Sequence, residues 1–342
     1  MIMMYRGITG YLQRRAARRR EAATAAPAGG VAIGSALDPD AAISVRGLRM
    51  SYGALEAVRG IDVDIRRGEI VAFLGPNGAG KTTTVEILEG YRQRTGGDAR
   101  VLGEDPGCAP LSWRDRIGVV LQESTVEPDL TAREVLELYA GYHRRPRPVM
   151  ETLEMVGLAD RCDARGSQLS GGQRRRLEVA IGLIGDPELL FLDEPTTGFD
   201  PAARRQSWEV IAGLRRLGTT IFLTTHYMDE AEALADRIVV ISRGAIVAEG
   251  PPRTLAGRDT RPATLSFRLV PPATWSALPA TLASRTAENG DGRLHLSTAD
   301  PLADTVALAT WSDQHDLPVR DLEVRQPSLE EIYLELTEGD AA

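Results

Sequence analysis

At 342 residues, 43% hydrophobic and 26% charged, the chain has the composition of a globular protein with room for one large domain or two ordinary ones. A net charge of −8 and only 5% aromatic residues argue against a polyanionic nucleic acid as a bulk partner. The two cysteines, Cys108 and Cys162, are too few for a disulfide scaffold or a cysteine-built zinc site, which fits a reducing compartment.

In chain order, residues 1–40 read as an extension. Arg14-Arg15-Ala16-Ala17-Arg18-Arg19-Arg20 is a dense basic run followed by Ala, Gly and Pro. It reads as a disordered basic tail, with weak anchoring on anionic lipid headgroups as the sharper alternative. The first domain is expected over residues 41–257. Ile43–Leu48 and Ile61–Ile65 alternate like half-exposed strands, and Tyr52 is expected in the loop between them. Ile70–Leu74 is continuously apolar, as a strand buried on both faces of a parallel sheet should be.

That strand runs into Gly75-Pro76-Asn77-Gly78-Ala79-Gly80-Lys81-Thr82-Thr83, and a helix-forming segment follows. Strand, glycine-rich loop, Lys-Thr and helix together make the context of a phosphate-binding P-loop. Glycines let backbone N–H groups converge on phosphate oxygens, and the helix N-terminus adds positive potential there. Lys81 is placed to reach β- and γ-phosphates, Thr82 to hold Mg²⁺, and Thr83 to bond the α-phosphate side. Lys81 is also the only lysine among 40 basic residues. Where either cation serves, this chain uses arginine; a compact ammonium is kept where a planar fork does not fit.

Further along, Ile117–Leu121 is an apolar strand ending at Gln122, and residues 123–185 read as a helical subdomain. Thr131 to Glu134 spells a capping box. Leu169-Ser170-Gly171-Gly172-Gln173 opens a long helix with an anion-ready start. Leu189–Leu192 is a second buried strand that delivers Asp193 and Glu194 to a sheet edge. Beside a P-loop, Asp193 suits a Mg²⁺ ligand and Glu194 a group that polarises water. A third apolar strand, Ile221–Thr225, ends at His226.

These motifs, in this order, resemble the nucleotide-binding subunit of an ABC transporter over residues 41–255. The resemblance implies an α/β fold: a P-loop ABC-type domain with a mixed sheet and a helical subdomain. It makes Tyr52 the aromatic A-loop, Gly75–Thr83 the Walker A motif and Gln122 the Q-loop, which also senses Mg²⁺. Leu169–Gln173 become the signature, Asp193 the end of Walker B, Glu194 the catalytic carboxylate, Asp200 the D-loop acid and His226 the switch histidine. Phe199 stands where leucine is more usual. Two such domains pair head to tail, so that Ser170, Gly171, Gly172 and Gln173 of one chain close over ATP held by the other. The implied partners are a second copy or a homologous ATPase and a multi-span permease. The implied location is the cytoplasmic face of the cell membrane, held peripherally, with no nucleic acid partner.

Residues 258–342 alternate strand and helix signals, including a helix over Thr274–Ser284 and a turn at Glu288–Gly292, and suit a small α+β, ferredoxin-like unit. The ending Pro327-Ser328-Leu329-Glu330-Glu331-Ile332-Tyr333 resembles the close of daunorubicin-resistance-type ATPases. That resemblance implies the ATPase of a bacterial exporter of drugs or other hydrophobic compounds. An importer ATPase and a soluble, non-transport ABC ATPase are the alternatives.

Overall fold

The structure, a computed structural model, describes residues 37–122, 126–215, 218–270, 278–289 and 292–338. The basic run at 14–20 and Gly290-Asp291 of the expected turn lie outside these residues. The chain divides into two compact units, residues 1–249 and 250–342.

In the first unit, β1 (Ile43–Tyr52), β2 (Leu55–Ile65) and β4 (Gly96–Val101) form an antiparallel sheet in the order β2-β1-β4. Tyr52 is therefore the last residue of β1, and not a loop residue as the alternation over Ile43–Leu48 suggested. The alternation breaks between Val45 and Leu48 and resumes beyond, with Leu48 and Met50 buried and Arg49 exposed, so β1 continues to Tyr52 across register shifts at Val45–Leu48, Leu48–Arg49 and Met50–Ser51. The second sheet has the order β5-β6-β7-β3-β8-β9, built from β3 (Ile70–Leu74), β5 (Ile117–Val120), β6 (Leu189–Asp193), β7 (Thr220–Thr225), β8 (Arg237–Ser242) and β9 (Ala245–Gly250). The three continuous apolar runs of the sequence are its adjacent strands β6, β7 and β3. They pair in parallel and are buried on both faces, apart from the half-buried Asp193 at the end of β6.

Register fixes where the strands end. Leu74 lies opposite Thr225, Asp193 opposite Thr224, and Val120 opposite Leu192. Whatever follows β3, β5, β6 and β7 therefore emerges in one row along one sheet edge. Phe222 holds this register from within, with its ring 5.4 Å from Phe73 and 5.9 Å from Phe191. Such pairs add about 0.5–1.5 kcal/mol each beyond area burial.

The helices of this unit are α1 (Lys81–Leu88), α2 (Leu111–Arg114), α3 (Ala132–Ala140), α4 (Val149–Met155), α5 (Gly171–Leu183), α6 (Pro201–Arg215) and α7 (Met228–Leu234). The predicted capping box is present at α3, where Glu134 N donates to Thr131 Oγ1 and Thr131 N donates to Glu134 Oε2. Helix α5 lies unusually close to β5. A Cβ on Gly118 would sit 2.2 Å from Gly182 O, so only two facing glycines allow this approach.

The second unit runs β10 (Ala263–Leu269), α8 (Ala280–Ala283), β11 (Thr286–Asn289), β12 (Arg293–Thr298), α9 (Pro301–His315), β13 (Val319–Arg325) and α10 (Leu329–Glu338). Its sheet order β11-β12-β10-β13, with every pairing antiparallel, is the split βαβ topology expected of a ferredoxin-like unit. The helix expected over Thr274–Ser284 is shorter, Ala280–Ala283. Pro279 sets its start as the N-cap, and residues 271–277 lie outside the description.

Candidate active site

The loop from Gly75 to Gly80 leaves the buried end of β3 and turns into α1. Gly80 caps α1 with φ 104°, and a Cβ there would sit 2.5 Å from Ala57 O. Both its left-handed backbone and its contact require glycine. Lys81 begins the helix and is 6% exposed. Its ammonium donates to Gly75 O at 2.7 Å and Pro76 O at 3.2 Å, inside the curl of its own loop. Burial pushes the Lys81 ammonium down, while the nearby Glu194 and Asp193 push it back up. Pro76, Asn77, Gly78 and Thr82 are exposed, Thr83 is half-buried and Ala79 is buried. Tyr52 is 40% exposed beside this loop, with its hydroxyl 3.4 Å from Thr83 Oγ1 and the Arg92 guanidinium 5.1 Å from its ring centroid.

Opposite the loop, the row of strand ends brings the other predicted residues together. Asp193 ends β6, and Thr224 Oγ1 donates to its Oδ1. Burial raises the Asp193 carboxyl, as does Glu194; Thr224, Lys81 and Arg175 pull it down. Glu194 follows with φ 45°, a left-handed conformation that side chains seldom take. The kink is held by Glu194 N, which lies 3.1 Å from both Thr224 O and Thr224 Oγ1. It turns the carboxylate toward Gln122 and His226. Gln122 Nε2 donates to Glu194 Oε2 at 3.0 Å, and Thr197 Oγ1 donates to the same oxygen at 3.1 Å. His226 Nδ1 stands 3.2 Å from Glu194 Oε1, close enough for charge but not aligned as a hydrogen bond. The His226 ring packs on Tyr227 at 4.1 Å.

Thus Lys81, Gln122, Asp193, Glu194 and His226 form one neighbourhood. The signature does not join it. Ser170 caps α5 in a reciprocal box: Gln173 N donates to Ser170 Oγ, and Ser170 N donates to Gln173 Oε1. Ser170, Gly171, Gly172 and Gln173 line a concavity of about 200 Å³ with Gly198, Phe199 and Asp200, and no P-loop residue lines it. Asp200 caps α6, its Oδ1 accepting from Ala202 N and Ala203 N at 2.9 Å each.

Two residues that sequence reasoning passed over organise this site. Thr224 holds the Asp193 carboxylate and the backbone N–H of Glu194, as described. Arg175, in the first turns of α5, is 7% exposed. Its Nε donates to Pro195 O at 3.0 Å, Nη1 to Leu121 O at 2.5 Å and to Glu178 Oε2 at 2.7 Å, and Nη2 to Asp193 O at 2.9 Å and Glu194 O at 3.4 Å. The only signal available was an arginine at a position whose helical neighbours Val179 and Leu183 are apolar.

No ion site built from three or more His, Cys, Asp or Glu side chains exists among the described residues. Mg²⁺ needs none, since it commonly takes one or two protein groups and completes its shell with phosphate and water. The donor set at hand, an exposed Thr82 hydroxyl and the half-buried Asp193 carboxylate, fits that habit. A cation there would also offset the repulsion between Asp193 and Glu194.

Comparison with known proteins agrees with this geometry. The ABC transporter family pattern matches residues 58–197, and the C-terminal domain of an ABC transporter domain-containing protein-like family matches residues 263–328. The chain is 38% identical to Nod factor export ATP-binding protein I of Ralstonia nicotianae, over 86% of this chain and 93% of that one. The chain belongs to the ABC transporter family. It is also 38% identical to the daunorubicin/doxorubicin resistance ATP-binding protein DrrA of Streptomyces peucetius, over 87% of this chain and 93% of that one. Among solved structures, cbiO1 from Clostridium perfringens, part of an ABC transporter complex, aligns with TM-score 0.58 and 26% identity over 63% of this chain and 90% of that one. The ATP-binding cassette MJ0796, in a dimeric post-hydrolysis state with ADP and Pi, shares the fold at TM-score 0.55 and 24% identity, over 61% of this chain and 98% of that one. This ABC family member therefore carries the P-loop ATPase fold of its relatives. Among the described residues, no helix is long and apolar enough to cross a membrane.

Proposed function

We propose that this chain is the ATP-hydrolysing subunit of an export system, working as a head-to-tail dimer beneath a separate multi-span permease. The observation that carries the ATPase reading is the convergence of Lys81, Gln122, Asp193, Glu194 and His226 at one sheet edge. In this reading Tyr52 stacks on the base, and the backbone of Gly75–Thr83 cradles the phosphates. Lys81 leaves the Gly75 and Pro76 carbonyls to pair with the β- and γ-phosphates. Thr82, Gln122 and Asp193 would hold Mg²⁺, which would neutralise phosphate charge. Glu194 takes the proton of the attacking water, aligned by Gln122, and His226 stabilises the γ-phosphate.

The dimer reading is supported by the separation of the signature from the chain's own P-loop. An open concavity lined by Ser170–Gln173 and Asp200 suits the nucleotide and loop of a second copy. A two-fold pair supplies two such composite sites. Export is supported by the names of relatives matched over most of the chain. Those names point to different compounds, so the cargo is proposed only as a drug or other hydrophobic compound. A permease would hold the protein peripherally at the cytoplasmic face of the membrane.

Glu194→Gln tests the reading. The amide keeps the shape but accepts no proton, so steady-state hydrolysis should fall by about 10²–10⁴-fold. ATP should still bind, and ATP-dependent dimers should accumulate in light scattering. Unchanged turnover would remove Glu194 from the mechanism, and a monomer at saturating ATP would overturn the dimer.

A further inference from the structure

A guanidinium has five N–H donors, and all five of Arg175 have acceptors: four main-chain carbonyls and Glu178. The carbonyls are not scattered. Leu121 O immediately precedes Gln122, while Asp193 O, Glu194 O and Pro195 O are the three consecutive carbonyls of the kink that aims the Glu194 carboxylate. Arg175 therefore grips the backbone of two strand ends, β5 and β6, whose next side chains meet at 3.0 Å as Gln122 and Glu194.

The other end of the connection is Arg175's own helix. It sits two residues after Gln173, within the first two turns of α5, whose capped N-terminus faces the concavity shared with Asp200. Further along α5, the facing Gly118 and Gly182 seat the helix directly on β5. With one charged clamp near its start and a close backbone contact near its end, α5 cannot tilt or slide without carrying the end of β5. Through Arg175 it also carries the Glu194 kink. A guanidinium that is 7% exposed and fully bonded transmits such motion in fixed geometry, because each lost contact would leave a buried polar group unpaired.

We propose that Arg175 is a positioning residue that couples the two composite sites of the dimer: a nucleotide engaging Ser170–Gln173 of this chain sets, through Arg175, the Gln122–Glu194 pair that acts at this chain's own P-loop. The inference rests on the head-to-tail ATPase reading above. It gives the chain a route by which occupancy of one site changes hydrolysis at the other, with a single side chain as the link.

The test compares full-length wild type, Arg175→Gln and Arg175→Lys in steady-state ATPase assays over a range of ATP concentrations. Nucleotide affinity is measured in parallel with a fluorescent ATP analogue, and folding by thermal melts. The wild type should show a Hill coefficient above 1. In Arg175→Gln, kcat per folded molecule should fall roughly 10- to 100-fold, the effect expected of a misplacement near 1 Å. Its Hill coefficient should fall to 1, while KM and analogue affinity stay within about twofold, since no phosphate contact is removed. Arg175→Lys, with charge but without the fork, should recover part of kcat and of the cooperativity. A purely structural role would lower the melting temperature but leave kcat per folded molecule and the Hill coefficient unchanged, and that result overturns the proposal. A non-cooperative wild type overturns it too, as does failure of both variants to fold. Wild-type turnover that vanishes in Glu194→Gln keeps the ATPase reading standing whatever Arg175 does.

Discussion

Replacing Thr224 by Val isolates a single hydroxyl at the centre of the site. Thr224 is fully buried in β7, and valine matches its branched shape, so packing is retained. What goes is the donation to Asp193 Oδ1 and one of two acceptors near Glu194 N; the other, Thr224 O, remains at 3.1 Å. A hydrogen bond to a charged acceptor contributes about 1.5–3 kcal/mol, and the added buried methyl returns up to ~1 kcal/mol, leaving a net loss of about 1–2 kcal/mol. The loss depends on pH in a definite sense. Burial already raises the Asp193 carboxyl, and Thr224 opposes that rise. Without the hydroxyl the folded-state value climbs further, so the variant holds its proton to higher pH than the wild type. The stability gap therefore widens as pH rises between the two folded-state values, and narrows below both. Urea titrations at pH 5 and pH 8 would read the gap, and Mg²⁺ titrations of turnover should show a midpoint raised severalfold. Equal urea midpoints at pH 8, or an unshifted Mg²⁺ midpoint, would refute the role assigned to Thr224.

Lys81→Arg should lose at least about tenfold in kcat/KM despite keeping the charge, because a buried pocket that holds one ammonium between Gly75 O and Pro76 O has no room for a planar fork; full activity would show that the lone lysine is incidental. Asp105 accepts both arms of Arg94 at 2.8 and 2.7 Å, and this bond holds its carboxyl below the usual range. Asp105→Asn should therefore cost about 1 kcal/mol at neutral pH, and the difference should close as pH falls through the lowered carboxyl value; a pH-independent difference in urea midpoint would contradict this. Among the described residues, a buried cluster running from Ala42 to Ile241 in the first unit shares no residue with one from Leu265 to Trp311 in the second. Calorimetry should accordingly resolve two transitions, with ATP raising only that of the first unit, whereas one transition moved as a whole by ATP would show a single cooperative body.

Much of this was legible before any coordinates because of how buried parallel strands are written. Runs such as Leu189–Leu192 admit few other readings, and a polar residue directly after one must emerge at the sheet edge. That logic located Gln122, Asp193, Glu194 and His226. It failed where polarity and burial disagree. Thr224 sits inside an apolar strand and reads as a filler with β-propensity, since no sequence pattern says that its hydroxyl faces Asp193. Arg175 sits among Arg174 and Arg176, and nothing in a run of three arginines marks the middle one as buried. In fact Arg174 is exposed, Arg176 is half-buried with its guanidinium on Val156 O and Gly157 O, and only Arg175 turns inward. The strand reaching Tyr52 is hard to read for a related reason: the shift between Val45 and Leu48 breaks the two-residue period on which strand reading depends.

The signature and the D-loop acid show why a motif's residues need separate chemical readings even when they share one concavity. Ser170 and Asp200 are both helix N-caps, so each residue type is already accounted for by the helix it starts. Their remaining capacities differ in sign. A hydroxyl that accepts from Gln173 N still has its own proton to donate, and the capping box leaves the N–H groups of Gly171 and Gly172 without an acceptor inside the helix. That end of the concavity offers N–H and O–H donors at the positive end of a 13-residue helix, and suits phosphate oxygens. Asp200 is acceptor-only and negative, so it cannot share a phosphate with Ser170; it must face a donor. In the proposed head-to-tail pair that donor would come from the partner's loops and not from the phosphates of its nucleotide. Ser170→Arg and Asp200→Asn should then separate: the first blocks ATP-driven dimerisation by filling the phosphate end, while the second leaves ATP binding intact and weakens only the fit between chains. If Asp200→Asn instead lowered nucleotide affinity in the monomer, the acid would be acting on its own P-loop, and the division of the concavity into a phosphate end and a protein end would fall.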